Sequence, residues 1–189
     1  MHDFIFDKNF DQIIYDKYEL TNKEFENCTF TDCDLRQSFF TGTTFVDCTF
    51  KNCNFKEAKI GHVGLRNVLF VDCNFTSVNF AMTDQVIYEF HFTNCLLDYA
   101  QFYKLKLKGI QFTNCSMVSV DFMESDLTEA LFDNCNLRLA VFSDTNLTKA
   151  DFYSSHHFSI NPEKNKLKKA IFSNENVKGL LDKYEVIIK

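Results

Sequence analysis

Tryptophan is absent from this chain, proline occurs once, at Pro162, and glycine five times. Such scarcity leaves no flexible glycine- or proline-rich linker, so the 189 residues read as a single domain spanning 1–189. No stretch approaches the roughly 18 apolar residues of a membrane-spanning helix, so no membrane contact is expected. The opening residues, Met1 to Asp7, carry neither a basic region nor a long apolar run. No secretory leader is expected there, and a cytoplasmic location follows. Histidine is sparse and scattered, at His2, His62, His91, His156 and His157. With no glycine-rich phosphate loop, nucleophile elbow or metal-spaced histidine pair, the chain is expected to be no enzyme and to hold no cofactor or metal.

Phenylalanine and cysteine are plentiful instead: 23 and 8 residues. One phrase recurs six times: Phe, any residue, Asp or Asn, Cys, any residue, then Leu, Phe or Met. It starts at Phe30, Phe50, Phe70, Phe92, Phe112 and Phe132, in steps of 20 with one step of 22. A fixed period in this range marks a repeat architecture. Inside it lies a period of five. Large apolar residues fall at Leu20, Phe25, Phe30, Leu35 and every fifth position to Phe80, then from Phe92 to Phe152, without one polar exception. Two residues earlier stands a mostly small or β-branched residue, such as Cys28, Ser38, Thr43, Ala58 or Val63.

Period five fits neither regular element. On a helix it drifts around the axis, and on a straight strand it alternates faces. It stays inside only if the chain turns a corner every five residues, four corners closing a coil of 20. Successive coils then stack about 4.8 Å apart, the hydrogen-bonding distance between strands. Phe30, Phe50, Phe70, Phe92, Phe112, Phe132, Phe152 and Phe172 are expected to form one stacked spine, with ring spacing suited to offset pairs. Cys33, Cys53, Cys73, Cys95, Cys115 and Cys135 share one inner side. Buried cysteine there acts as a small hydrophobe. The spacing of Cys28 and Cys33 is the repeat itself rather than a ligand pair, and a reducing compartment argues against disulfides.

Ser125-Asp126-Leu127, Cys135-Asn136-Leu137, Thr145-Asn146-Leu147 and Ala150-Asp151-Phe152 match small–Asp/Asn–Leu/Phe–X–X. Over roughly 20–157 the sequence resembles the pentapeptide-repeat family. The fold class that this implies is all-β: a right-handed quadrilateral parallel β-helix, here with a short C-terminal capping α-helix.

Residues 1–19 continue the rhythm weakly, through Phe10 and Tyr15, and are expected to form an irregular first coil covering the N-terminal end. An open solenoid end would expose unpaired backbone. The segment 81–91 holds the two-residue slip, with Ile87 expected inward. Asp84, Tyr88 and Glu89 there offer an interaction bump, or the slip is a tolerated insertion. In the cap, 158–189, Ser173 suits a helix N-cap with Glu175 in the first turn. Val177, Leu180, Leu181 and Tyr184 fall at i, i+3, i+4 and i+7, and Val186–Ile188 reads as a closing strand.

The stretch from Ile160 to Phe172, followed by Gly179-Leu180-Leu181-Asp182-Lys183-Tyr184, resembles the ending of Qnr-like quinolone-resistance members of the family. That resemblance implies a homodimer through the terminal helix, with Val177, Leu180, Leu181 and Tyr184 at the interface. It also implies a rod that imitates duplex DNA and binds DNA gyrase or topoisomerase IV. Several members carry two long projecting loops; this sequence has none.

Residues 1–157 carry 22 acidic and 13 basic side chains, a net −9, and residues 158–189 carry 4 and 7, a net +3. An acidic coil opposes direct nucleic-acid binding and favours a basic protein partner. Asp121, Glu124, Asp126, Glu129 and Asp133, with Asp144 one coil on, are the densest acidic run and the candidate partner-binding residues. A solvated surface that keeps the rod soluble explains the same run. A structural or interaction role with another partner is the alternative function, and immunity to a co-encoded toxin a third.

Overall fold

A side chain every fifth residue must point inward, so the backbone has to reverse its pleat at each corner. In the computed structural model, which describes residues 3–83 and 89–187, it does so by one left-handed residue at most corners. Two residues after most of the large inward side chains, the non-glycine corners adopt φ between 51° and 63°, from Asp7 through Asn52 and Asn114 to Lys149; Lys17, Met82 and Ser154 depart from this. Asn and Asp tolerate this region best among L residues, which explains the Asp or Asn before each cysteine.

The four-cornered coil is a right-handed parallel β-solenoid. One side stacks β1 (Asp3–Phe6), β3 (Lys23–Glu26), β5 (Thr44–Val46) and β7 (Gly64–Arg66). The next stacks β2 (Asn9–Asp11), β4 (Thr29–Thr31), β6 (Thr49–Lys51), β8 (Val68–Val71), β9 (Phe90–Thr93), β10 (Gln111–Thr113) and β11 (Leu131–Asp133). The other two sides are single bridges, such as Asp34 to Asn54 and Gln101 to Asp121. All pairs are parallel with a 20-residue offset, which becomes 22 where Phe70 meets Phe92.

The expected spine is present and starts one coil earlier, at Phe10. Rings stack from Phe10 to Phe172 with centroids 4.6–5.5 Å apart. Phe30, Phe92, Phe112, Phe132 and Phe152 are fully buried, and Phe172 is half-buried at the end of the stack. A second aromatic stack runs Phe80, Phe102, Phe122, Phe142 on another side.

Several expectations need correction. The first coil is not irregular: β1 and β2 pair in register with β3 and β4. It does cover the end of the core: Ile5, Phe10 and Ile13 pack inward and leave Phe25, Phe30 and Leu35 buried, while Phe4, Phe6, Ile14 and Tyr18 face out and are exposed. The small inward slot also admits large residues. Phe90 occupies it beneath Val68, its ring 5.9 Å from Phe80, and Leu105 is fully buried in another.

Among the described residues the C-terminal cap contains no α-helix. Val177–Leu180 and Asp182–Tyr184 are short 3₁₀ turns. Ser173 is not the N-cap of the first of these, a place taken by Asn176; it brackets the turn just before it, accepting the Asn176 amide at 3.2 Å while Asn176 Oδ1 accepts the Ser173 amide at 2.9 Å. The ladder then fails because its groups are drawn onto the coil. The Gly179 carbonyl accepts from the Ile160 amide at 2.9 Å, glycine is a poor helix former, and so short a segment has little helical cooperativity of its own. Val186 and Ile187 form no strand. Asp84, Ile87, Tyr88 and Ile188 lie outside the described residues.

Candidate interaction surface

Inside the coil, hydrogen bonding accounts for much of the small slot. Cys53, Cys73, Cys95 and Cys135 place Sγ 3.4–3.5 Å from the carbonyls of Phe30, Phe50, Phe70 and Phe112, each 23 or 25 residues earlier. Thr145 and Ser155 hydroxyls do the same to Phe122 and Phe132 at 2.9 and 2.7 Å, and the Asn165 amide reaches Phe142 at 3.0 Å. The residues filling the slot are thus often small side chains that can also donate. All eight cysteines are free and buried. Burial pushes the thiols of Cys33 and Cys48 up to about 11, so they are poor nucleophiles and poor ligands at neutral pH. Among the described residues no group of three or more His, Cys, Asp or Glu could hold a metal ion, and no helix is long and apolar enough to cross a membrane.

Most of the remaining polar side chains lie on the outside. The flat of each side carries Asp or Asn whose side-chain oxygen accepts the amide two residues on, as Asp121 does from Met123 at 2.8 Å and Asp126 from Thr128 at 3.0 Å. Along two corners, side-chain amides bridge successive coils: Asn27 to Asp7, Asn67 to Asp47, Asn94 to Asp72, Asn114 to Asn94 and Asn134 to Asn114. Much of the chain's Asp and Asn content is structural in this sense.

The predicted acidic run lies within one coil, and a coil goes round the rod. Asp121 stands in the row of Gln101 and Val141, Asp126 in the row of Lys106 and Asn146, and Asp133 beside Thr113. These acids form a girdle over three sides rather than one patch. They are also engaged. Glu124 meets Lys104 at 3.3 Å and the Tyr103 hydroxyl at 2.9 Å. Glu129 lies between Lys149 at 2.6 Å and Lys108 at 3.7 Å; the hydrogen bond from Lys149 holds its carboxyl below the usual range. Asp126 also accepts from Asn146, Asp133 from Ser154, and Asp144 from the Ser143 hydroxyl.

Of the predicted dimer residues, Leu180 packs half-buried on the core, while Val177, Leu181 and Tyr184 are exposed. The tail is pinned by Lys183 to Glu163 at 2.5 Å and by the Tyr184 hydroxyl to Glu163 at 2.9 Å. Asn176, which the sequence reading passed over, is its main anchor. Its side-chain amide lies 2.7, 3.2 and 2.9 Å from the carbonyls of Phe152, Tyr153 and Ser155. Between tail and coil opens a cleft of about 690 Å³, lined by Arg138, His156, His157, Glu175, Lys178 and Asp182 among others. His156 is held below its usual range by burial and then by the neighbouring His157.

Comparison with known proteins places this geometry. A family model described as pentapeptide repeat region matches residues 43–113, and one described as pentapeptide repeats (8 copies) matches 24–61 and 121–156; together they span well over half the chain. No curated protein matches the sequence. Among solved structures, full-length QnrB1, a plasmid-mediated fluoroquinolone resistance protein, is 16% identical with a TM-score of 0.53, covering 97% of this chain and 100% of that one. A trypsin-treated variant of it is 20% identical with a TM-score of 0.50, covering 98% and 100%. HetL, a pentapeptide repeat protein involved in heterocyst differentiation regulation from the cyanobacterium Nostoc, is 12% identical with a TM-score of 0.34, covering 92% and 86%. Identities this low speak to the fold.

Proposed function

This chain belongs to the pentapeptide-repeat family, and from that premise we propose that it is a non-catalytic, DNA-mimicking rod that binds a type II topoisomerase, DNA gyrase or topoisomerase IV. In this proposal it acts in the cytoplasm as a homodimer joined through the C-terminal tail, and shields the enzyme from quinolones or a related toxin. The main support is the sign of its charge: net −9 over residues 1–157 on a rod with a filled interior. A basic DNA-binding saddle attracts such a surface. The fluoroquinolone-resistance role of QnrB1, whose rod matches along nearly the whole length, supports the same reading.

The mimicry is one of shape more than of charge. B-DNA carries a charge every 1.7 Å or so, hence about 20 over the roughly 34 Å of seven coils. The coil's excess, a net figure that already counts its 13 basic side chains, is under half of that. Adding the purified chain to gyrase supercoiling, with and without a quinolone, tests the proposal. Inhibition alone at high dose and rescue of drug-treated enzyme are expected. No effect in either arm at micromolar protein overturns it.

A second reading, an interaction rod for a different protein, draws on the girdle-like spread of the acids, which leaves no side uniformly negative. Charge reversal at Asp121, Glu124, Asp126 and Glu129 separates the two. Loss of gyrase effects supports the first, and their survival excludes this girdle as the contact.

A further inference from the structure

We infer that the side of the rod bearing Leu96, Val118 and Arg138 is a self-association surface, occupied by a second copy of this chain lying antiparallel to the first. Three rows run along this side over three successive coils. Leu96, Ser116 and Asn136 are bridged in one row. Beside it run Asp98, Val118 and Arg138, and at the corner Tyr99, Ser119 and Leu139, held in step by Tyr99 N–H to the Val118 carbonyl and Ser119 N–H to the Arg138 carbonyl, each 2.9 Å.

Two features mark these rows. Tyr99 and Leu139 are 58% and 66% exposed, at φ of 61° and 60°. A bulky apolar residue in the left-handed region and in water is disfavoured twice; most corners elsewhere carry Asn, Asp, Ser, Lys or Glu. Leu96 adds a third exposed apolar side chain beside them. Asp98 and Arg138 form no ion pair among the described residues, although Asp98 Oδ1 accepts from the Val118 amide at 2.9 Å and the Ser116 hydroxyl at 2.7 Å.

The rows are self-complementary in only one sense of packing. A two-fold axis across the rod at Val118 and Ser119 reverses the coil order. Asp98 of each copy then faces Arg138 of the other, Tyr99 faces Leu139, and the small Ser119 meets itself. Parallel packing in register sets Asp98 on Asp98 and Arg138 on Arg138, which like charge opposes. The antiparallel contact is isologous and closes at two copies. Tyr99 and Leu139 stand two coils apart, about 10 Å, so the contact is smaller than a standard stable interface and the association is weak and concentration-dependent. It needs neither the tail contact nor a topoisomerase.

Sedimentation velocity on the full chain over a concentration series tests this, in a Leu181→Asp background so that tail association is read separately. Arg138→Asp alone and Asp98→Arg alone should each weaken dimerisation about tenfold or more, and the double reversal should restore it. Since Asp98→Arg also removes a backbone acceptor, Asp98→Asn, which keeps the acceptor and deletes the charge, is measured beside it. Leu139→Asn, suited to the left-handed corner, should abolish association while leaving thermal stability equal or higher. A chain monomeric at every concentration, single reversals that associate as well as the parent, or a double reversal that restores nothing, each overturns the inference.

Discussion

Phe112 lies between Phe92 and Phe132 with ring centroids 5.5 and 5.2 Å away, and no part of it reaches solvent. Its neighbours are held by their own rungs and cannot collapse into a hole, so Phe112→Ala should cost about 3–5 kcal/mol in urea unfolding. A loss under about 1 kcal/mol contradicts a rigid spine. The cysteines bear on pH. Burial raises the thiols of Cys33 and Cys48 from 9.0 to about 11. The unfolded chain therefore releases those protons first, and their contribution, complete below pH 9, is lost as pH rises towards 11. Unfolding midpoints measured from pH 8 to 11 should fall, and fall less in Cys33→Ser/Cys48→Ser. Both inward positions were legible in the sequence because a period of five admits one geometry. The carbonyl-bonding role of Cys, Ser and Thr was not, because pattern alone does not distinguish a small hydrophobe from a small donor.

Strands three or four residues long succeed here because each is one rung of a stack, and the 20-residue step fixes which rungs meet. Sequence periodicity reads that register directly, including the 22-residue step at Phe92. The ends are harder to read, since there no repeat constrains the chain. Apolar spacing at Val177, Leu180, Leu181 and Tyr184 signals a helix, yet tertiary bonds to Asn176 and Gly179 override it. Asn176→Ala should free the Phe152 and Ser155 carbonyls and speed hydrogen exchange across 173–187, at a local cost of about 1–3 kcal/mol, while exchange in β4 to β10 stays unchanged. Gly179→Ala should loosen the same segment, because a Cβ there would stand 2.7 Å from the Phe158 ring. Unchanged exchange in both variants contradicts the anchoring role assigned to the tail turns.

Over the whole rod, net charge was legible and its distribution was not. A run of acids close in sequence reads as a patch, but on a coil of 20 residues it becomes a belt. Lysines one coil away at Lys104, Lys108 and Lys149 also reach its glutamates. A contact made by this surface should weaken with salt, and less steeply than duplex DNA binding does, since the chain offers fewer charges per unit length. The most direct test of a rod in the DNA-binding saddle is competition. Labelled chain bound to gyrase is titrated with linear duplex DNA and followed by fluorescence anisotropy. Displacement of the chain as the duplex fills the saddle is the expected result; a chain that stays bound while the enzyme is saturated with DNA, or one that never binds, contradicts it.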